Sequence, residues 1–304
     1  MRVLLVCRFK PSYPDHVAPF IKEQASALEQ LGVTPDWYLI KGTYIRNFLP
    51  FLCKIKEFKP DLIHAHYGLS GLFATMQRKI PVVTTFHGSD IHQPGTLWLS
   101  KLAARLSSRS VFVSTDLLQK AGNPQNAVVI PCGVDTRIFK PMLKELARRQ
   151  LQLPADKRFV LFAGSFDNPV KNPRLAIEAT TGIPNLRLLE LKGYTRAEVA
   201  LLMNAVDACL LTSNSEGSPQ FVKEAMACNC PLVSVRVGDV EERMKDVAGC
   251  YLVAHESAEL KSTIESIVHQ KSRSAGRYKL LEDQLDNNSV ASSLLEIYNA
   301  LSAK

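Results

Sequence analysis

Ser213-Asn214-Ser215-Glu216-Gly217-Ser218-Pro219-Gln220-Phe221-Val222-Lys223-Glu224-Ala225-Met226-Ala227-Cys228 is the stretch on which the reading of this chain turns. Ahead of it lies an apolar run, Ala208 to Thr212, which reads as a buried strand. A polar turn follows, and a helix is expected from about Pro219, since proline suits the first helical position and Ser218 can cap it. The free N–H groups and partial positive charge of that helix start suit an anion such as a diphosphate. Glu224 lies one to two turns into the helix with its side chain leaning back toward the N-terminus, so Glu216 and Glu224 can face one ligand from two sides. Taken singly, Glu216 reads as an exposed loop carboxylate and Glu224 as part of a solvated helix face. Only their spacing in this context argues for more.

Working outward, the pattern of strand, polar turn and helix recurs. Strands are expected at 2–7, 35–40, 61–65, 80–86, 110–114 and 127–131, then at 158–163, 186–191, 207–212, 231–235 and 249–253. Helical patterns fall between them, among them 16–31, 96–108, 172–182, 195–205, 219–228, 239–247 and 256–270. This alternation predicts an α/β protein with doubly wound, Rossmann-like domains. The chain of 304 residues suits two domains of about 150 residues each. A boundary is expected after Pro131-Cys132-Gly133-Val134-Asp135, near Phe139-Lys140-Pro141, giving domains 1–141 and 142–288. A C-terminal helix (289–304) is expected to pack back on the first. Ligands of such domains bind at the carboxyl ends of the strands.

Two more strand ends carry chemistry. Gly164-Ser165-Phe166-Asp167-Asn168-Pro169-Val170-Lys171-Asn172 follows strand 158–163, and Lys171 there can neutralise phosphate as a point charge. Thr85-Phe86-His87-Gly88-Ser89-Asp90 closes strand 80–86. A lone histidine is more often structural, but Gly88 beside His87 permits close approach of a ligand. His64 and His66 stand at another strand end and read as site-lining or hydrogen-bonded residues.

Composition narrows the function classes. The N-terminal apolar run is too short for a signal-peptide core, and no run reaches the roughly 18 residues of a membrane span. Seven scattered cysteines without a C-x-x-C pair point to a reducing compartment, with neither a disulfide framework nor a zinc site expected. No G-x-G-x-x-G follows the first strand and no Walker lysine motif occurs, which argues against a dinucleotide-dependent dehydrogenase or a P-loop enzyme. The net charge is +8, and residues 1–140 hold 17 Lys and Arg against 9 Asp and Glu while the remainder holds 20 of each. The excess on the first half suggests an anionic partner, and no motif favours nucleic acid. Residues 44–59 read as a helix with Ile45, Phe48, Leu49, Leu52 and Ile55 toward the core. Phe51 and Phe58 then face outward among Arg46, Lys54, Lys56 and Lys59, an arrangement that suits a lipid headgroup layer.

At these residues the chain resembles the retaining GT-B glycosyltransferases of family 4, over nearly its whole length. Glu216-x7-Glu224 looks like that family's E-x7-E signature, and the PCGVD…FKP segment looks like its interdomain stretch, with Cys132 where asparagine is usual. The resemblance implies two Rossmann-like domains facing across a cleft. It places Glu216 beside the donor sugar, Glu224 on the ribose hydroxyls, Lys171 on the donor phosphates and His87 in the first domain's half of the active site. Gly164, Ser165, Gly217, Ser218 and Pro219 are expected to line the donor diphosphate. The family usually has arginine where Ser165 stands, and a glycine-rich loop where residues 9–15 have none.

The implied activity is transfer of a sugar from a nucleotide-diphosphate-sugar, UDP- or GDP-linked, to a glycan or lipid-linked acceptor in cell-surface polysaccharide biosynthesis. The nucleotide sugar is a co-substrate, and no cofactor or metal is expected, in keeping with the absence of a D-x-D sequence. The expected location is cytoplasmic, with peripheral contact at the inner membrane face through the basic first domain. An epimerase or hydrolase on the same fold, and a non-catalytic donor-binding subunit, stay open as alternatives.

Overall fold

A computed structural model describes residues 1–270 and 272–302. The chain forms two compact units, Met1–Gly133 with the C-terminal stretch from Asn287, and Val134–Asp286.

In unit 1 the elements run β1 (Arg2–Arg8), α1 (Pro19–Gln30), β2 (Thr34–Ile40), α2 (Tyr44–Phe58), β3 (Leu62–His66), α3 (Gly68–Thr75), β4 (Val82–Phe86), α4 (Ser89–His92), α5 (Pro94–Leu106), β5 (Arg109–Phe112), α6 (Thr115–Ala121) and β6 (Ala127–Val129). The strands form one sheet in the order β2-β1-β3-β4-β5-β6, with every pairing parallel. In unit 2 they run α7 (Lys144–Gln150), β7 (Arg158–Phe162), α8 (Pro173–Thr180), β8 (Leu186–Glu190), α9 (Arg196–Ala205), β9 (Ala208–Leu211), α10 (Gln220–Ala227), β10 (Leu232–Val235), α11 (Val240–Met244), β11 (Cys250–Val253), α12 (Ser257–Gln270) and α13 (Gly276–Glu282). Their sheet has the order β11-β10-β9-β7-β8, again parallel throughout. Helix α14 (Asn287–Ser302) then returns to unit 1. The expected helix 289–304 coincides with it as far as 302, and its last two positions lie outside the described residues.

The strands are apolar runs because both faces of each sheet are covered. Val3 and Leu5 look toward α1 and α14, sharing a core with Leu28, Leu294 and the fully buried Tyr298, while Leu4 and Val6 look the other way, toward Phe51 and Phe73. In unit 2, Phe159 and Leu161 pack on one face, and Val160 and Phe162 on the other. Period-two alternation thus fills both layers from one strand.

Two expectations are corrected here. The first is the boundary, set at 141 from the sequence and found between Gly133 and Val134. Val134 and Phe139 are fully buried in the core of unit 2, and the Val134 N–H donates to the Leu285 carbonyl at 2.9 Å. The second is the orientation of α2. Phe51 is fully buried, whereas Ile45 and Leu49 are 89% and 74% exposed. Tyr44, Phe48, Phe51, Ile55 and Phe58 form the buried stripe instead, with Phe51 4.8 Å from Phe73 and 5.1 Å from Tyr38 between ring centroids. Aromatic rings bury more apolar area than Ile or Leu, so the aromatic stripe wins the core face. Lys54, expected on a basic outer face, pairs with Asp36 at 2.5 Å. Among the described residues no helix is long and apolar enough to cross a membrane.

Candidate functional site

In unit 2 the order β11-β10-β9-β7-β8 reverses direction between β7 and β9. The loops leaving the carboxyl ends of two such strands diverge around a crevice. One is Gly164–Asn172 and the other is 212–219. They are tied together: Thr212 Oγ1 donates to the carbonyls of Lys171 (2.9 Å) and Asn172 (3.0 Å), and Asn214 N–H donates to the Val170 carbonyl at 2.9 Å. The first loop ends in a tight 3-10 turn over Pro169–Lys171, where the Asn168 side chain accepts from the Val170 N–H. Gly164 is required beneath it, since a Cβ there would stand 2.7 Å from Lys171 Cγ.

This lacing brings the lysine to the first carboxylate. Lys171 Nζ donates to Glu216 Oε1 at 2.5 Å, with both side chains mostly shielded from water. Gly217 is clamped from the far side, because a Cβ on Gly238, itself at φ +55, would meet the Gly217 carbonyl at 2.5 Å. Ser218 does not cap α10: the helix starts at Gln220, Pro219 takes the cap position, and no side chain caps it. The Ser218 hydroxyl instead donates to Asp239 Oδ2 (2.7 Å) and accepts from Lys223 Nζ (3.1 Å). Lys223 and Asp239 are both buried, and Arg243 Nε donates to Asp239 Oδ2 at 3.0 Å. A buried charge chain therefore fixes the turn that carries Glu216.

Glu224 is not on a solvated face. It is 3% exposed, and Arg196 Nη2 donates to its Oε1 at 2.7 Å. Arg196 opens α9 behind a capping box formed by Thr195 and Glu198, and its guanidinium lies 4.5 Å from the Phe139 ring centroid. Ser165, standing where arginine is usual in the resembled family, turns its hydroxyl to Asp167 and to Glu190 Oε2, which also accepts from the Phe166 N–H at 2.9 Å. The loop 164–172 is thus anchored by carboxylates, and Lys171 is the cation it directs at Glu216.

In unit 1, His87 sits beyond β4. Its N–H and that of Gly88 donate to Asp90 Oδ1 at 3.2 and 2.9 Å, while Asp90 Oδ2 accepts from Gly68 N–H at 2.9 Å. Asp90 is buried, and desolvation raises its pKa above the usual carboxylate value in spite of those bonds. His87 Nε2 and His66 Nδ1 are 3.1 Å apart, the rings are stacked, and Cys132 Sγ lies 3.6 Å from His87 Nδ1. His66 and His64 are both buried, and desolvation pushes the His66 pKa well below normal and that of His64 down to about 3. Both are therefore neutral at pH 7. His64 bonds Tyr298 Oη (2.5 Å) and Thr85 Oγ1 (2.7 Å), so it is a hydrogen-bonded core residue rather than a site-lining one. In the contact between His66 and His87 one ring nitrogen is the donor and the other the acceptor.

Of the residues singled out from sequence, Lys171, Glu216, Gly164, Ser165, Gly217, Ser218, Pro219 and Glu224 belong to unit 2, and His87 belongs to unit 1. Sequence reasoning missed Arg196, Lys223 and Asp239. Gly238-Asp239 closes β10 and carried the same strand-end signal as the others. Nothing local marks Arg196, whose partner stands 28 residues away.

A family model described as Glycosyltransferase Family 4 matches residues 2–138, and one described as Glycosyl transferases group 1 matches residues 142–270. The chain belongs to the group 1, family 4 glycosyltransferases. Among curated members of the family, D-inositol 3-phosphate glycosyltransferase of Mycobacterium tuberculosis is 24% identical over 268 residues, covering 71% of this chain. The chain spans only 56% of the length of that relative. Among solved structures, sucrose-phosphate synthase from Thermosynechococcus elongatus superposes with a TM-score of 0.86 at 17% identity over 99% of both chains. HepE of Anabaena, in complex with UDP-glucose, superposes with a TM-score of 0.78 at 18% identity over 99% of this chain and 100% of that one. These likenesses establish the GT-B fold.

Proposed function

We propose that the protein transfers a sugar from a nucleotide-diphosphate-sugar to a hydroxyl acceptor, with retention of anomeric configuration and without a metal ion. The observation that carries this reading is the Lys171–Glu216 contact of 2.5 Å at the strand-order reversal of unit 2, in the turn that leads into α10, the helix that carries the buried Glu224. Cleaving the bond from the anomeric carbon to the diphosphate puts negative charge on the leaving group. A fixed ammonium and a helix N-terminus beside that oxygen stabilise the charge as it develops. Lys171 is proposed to exchange Glu216 for the phosphate oxygens when donor binds, which frees Glu216 to meet the sugar. Glu224, its orientation set by Arg196, would accept from the ribose hydroxyls. Departing phosphate would serve as the base toward an acceptor arriving on the same face, and His87 of unit 1 would contribute to the acceptor's surroundings. HepE's complex with UDP-glucose supports UDP-sugars as the first donors to try.

Transfer of radiolabelled sugar from UDP- and GDP-sugars, in buffer containing EDTA, is the test. Lys171→Ala is expected to lower kcat by roughly 10²–10³-fold, the loss associated with removing one charge-stabilising group. Activity abolished by chelation and restored by Mn²⁺ would overturn the metal-free mechanism. Release of free sugar with no acceptor product would favour a hydrolase.

A further inference from the structure

Unit 1 repeats the device that builds the donor-side loops. Its sheet reverses order between β1 and β3, so a crevice is expected at their carboxyl ends as well. A pocket of about 190 Å³ lies there, lined by Arg8 at the end of β1 and Lys10 beyond it, Tyr67 and Ser70 beyond β3, and Ser89 and Asp90 beyond β4. It is smaller than the roughly 300–1,000 Å³ of a site that encloses a whole drug-sized ligand, so it accommodates a single small group.

The charges in this pocket do not cancel. Its carboxylate, Asp90, is taken up by the N–H groups of Gly68, His87 and Gly88. Among the described residues neither Arg8 nor Lys10 forms an ion pair; both rest on aromatic faces. Lys10 Nζ lies 5.0 Å from the Tyr67 ring centroid and 5.9 Å from that of Tyr13, and the Arg8 guanidinium lies 5.8 Å from that of Tyr44. Lys10 is half-buried, a costly position for an ammonium without a counter-charge. Tyr67 is held at φ 71, ψ 147, a conformation that side chains rarely adopt. Its N–H donates to the Thr85 carbonyl and its carbonyl accepts from the Gly71 N–H, at 2.8 and 2.9 Å. Backbone strain maintained in this way concentrates at ligand sites. Here it sets the Tyr67 ring beside Lys10 and 4.7 Å from His87.

We propose that this pocket binds a phosphate ester, held between the Arg8 guanidinium and the Lys10 ammonium, and that the ester is part of the sugar acceptor. Two unpaired cations match a phosphate dianion better than a single carboxylate charge, and the planar guanidinium fits two phosphate oxygens at once. The word acceptor rests on the proposed glycosyl transfer; the phosphate site does not. The ester can belong to a soluble polyol or sugar phosphate, or to a phospholipid headgroup.

The test reads binding without turnover. Full-length protein carrying ring-¹³C-tyrosine is titrated with inorganic phosphate, then with glycerol 3-phosphate and with glycerol. Tyr67 and Tyr13 signals, assigned through Tyr→Phe variants, are expected to shift saturably with the two phosphates and not with glycerol. Arg8→Gln with Lys10→Gln should weaken that response at least about tenfold, the loss expected for a charge-assisted contact. Lys171→Gln, which changes the other unit, should leave it intact. No saturable shift with inorganic phosphate, glycerol 3-phosphate or phosphatidylglycerol vesicles, or a shift that persists in the double variant, would overturn the proposal. Vesicles of phosphatidylglycerol, set against phosphatidylcholine, identify the source: a response to those vesicles alone assigns the ester to a lipid, and a response to glycerol phosphate alone assigns it to a soluble acceptor. Phosphate binding that depends on Arg8 and Lys10, in a protein that transfers no sugar, would sustain the site and refute the glycosyl-transfer reading.

Discussion

Replacing Arg196 by methionine keeps the packing of the side-chain stem and strips the Glu224 carboxylate of its counter-charge. The contact is 2.7 Å, Glu224 is 3% exposed, and the Arg196 side chain is 26% exposed. Breaking a fully buried pair by removing one partner costs about 3–5 kcal/mol. The partial exposure of Arg196 lets water reach the vacated position, which places the expected cost near the lower end, at about 3 kcal/mol. Loss of the cation–π contact to Phe139, 4.5 Å from the guanidinium, adds about 0.5–1 kcal/mol. For a unit of this size each kcal/mol lowers Tm by roughly 2–4 °C, so a fall of about 10 °C is expected. Urea unfolding followed by far-UV circular dichroism should show a lower midpoint at unchanged slope. Adding Glu224→Gln removes the stranded charge, and the double variant should recover at least about 1 kcal/mol relative to Arg196→Met. A single-variant cost below about 1 kcal/mol, or a double-variant cost equal to the sum of the two singles, would refute the buried-pair account.

Three further outcomes follow from the geometry. His64 has a folded-state pKa depressed to about 3, so the unfolded chain binds its proton first as pH falls below about 6.5, and stability drops by about 1.4 kcal/mol per pH unit from this group. His64→Gln should therefore flatten the pH dependence of unfolding between those two values by that amount, and an unchanged slope would show that His64 is not buried neutral. Phe51→Ala should cost about 3–5 kcal/mol, as large core truncations do, while Ile45→Ala should change stability by less than about 0.5 kcal/mol; the reverse pattern in urea melts would mean that α2 presents its other face. Cys53 is exposed whereas Cys7 is buried, with desolvation raising its thiol pKa to about 12. A thiol-reactive dye should accordingly label Cys53 first, and Cys53→Ser should abolish the fast phase.

The strands were legible because burial on both faces leaves a parallel strand little choice but to be apolar throughout. Each of the expected strand positions holds a strand, with ends moved by a residue or two. The face of α2 was not legible. Phe48 and Ile55 belong to either of two overlapping stripes, and only the positions of Phe73 and Tyr38, supplied by other elements, decide between Phe51 and Ile45. The unit boundary failed for a related reason: Pro141 marks a turn, but the chain had already joined the second core at Val134 and Phe139. In the candidate site, the carboxylates and Lys171 could be singled out because a strand end followed by a polar turn has a local signature. What sequence could not supply was pairing at a distance, namely Glu224 with Arg196, Ser218 with Asp239 and His66 with His87, since each depends on which strands become neighbours.

The return of α14 to unit 1 bears on the order in which the chain can fold as it is synthesised. Val134–Asp286 is an uninterrupted segment, and all of its strands are available once Asp286 has emerged from the ribosome. Unit 1, although it starts first, lacks Val290, Leu294 and Tyr298 until α14 is made, and with them part of the core packed on Val3, Leu5 and Leu28. Domains made on a ribosome ordinarily complete themselves from the N-terminus onward. Here the earlier-made sheet has to wait with one apolar flank only partly covered, by α1, while the later one closes, so the nascent chain is most exposed to aggregation in the half it made first.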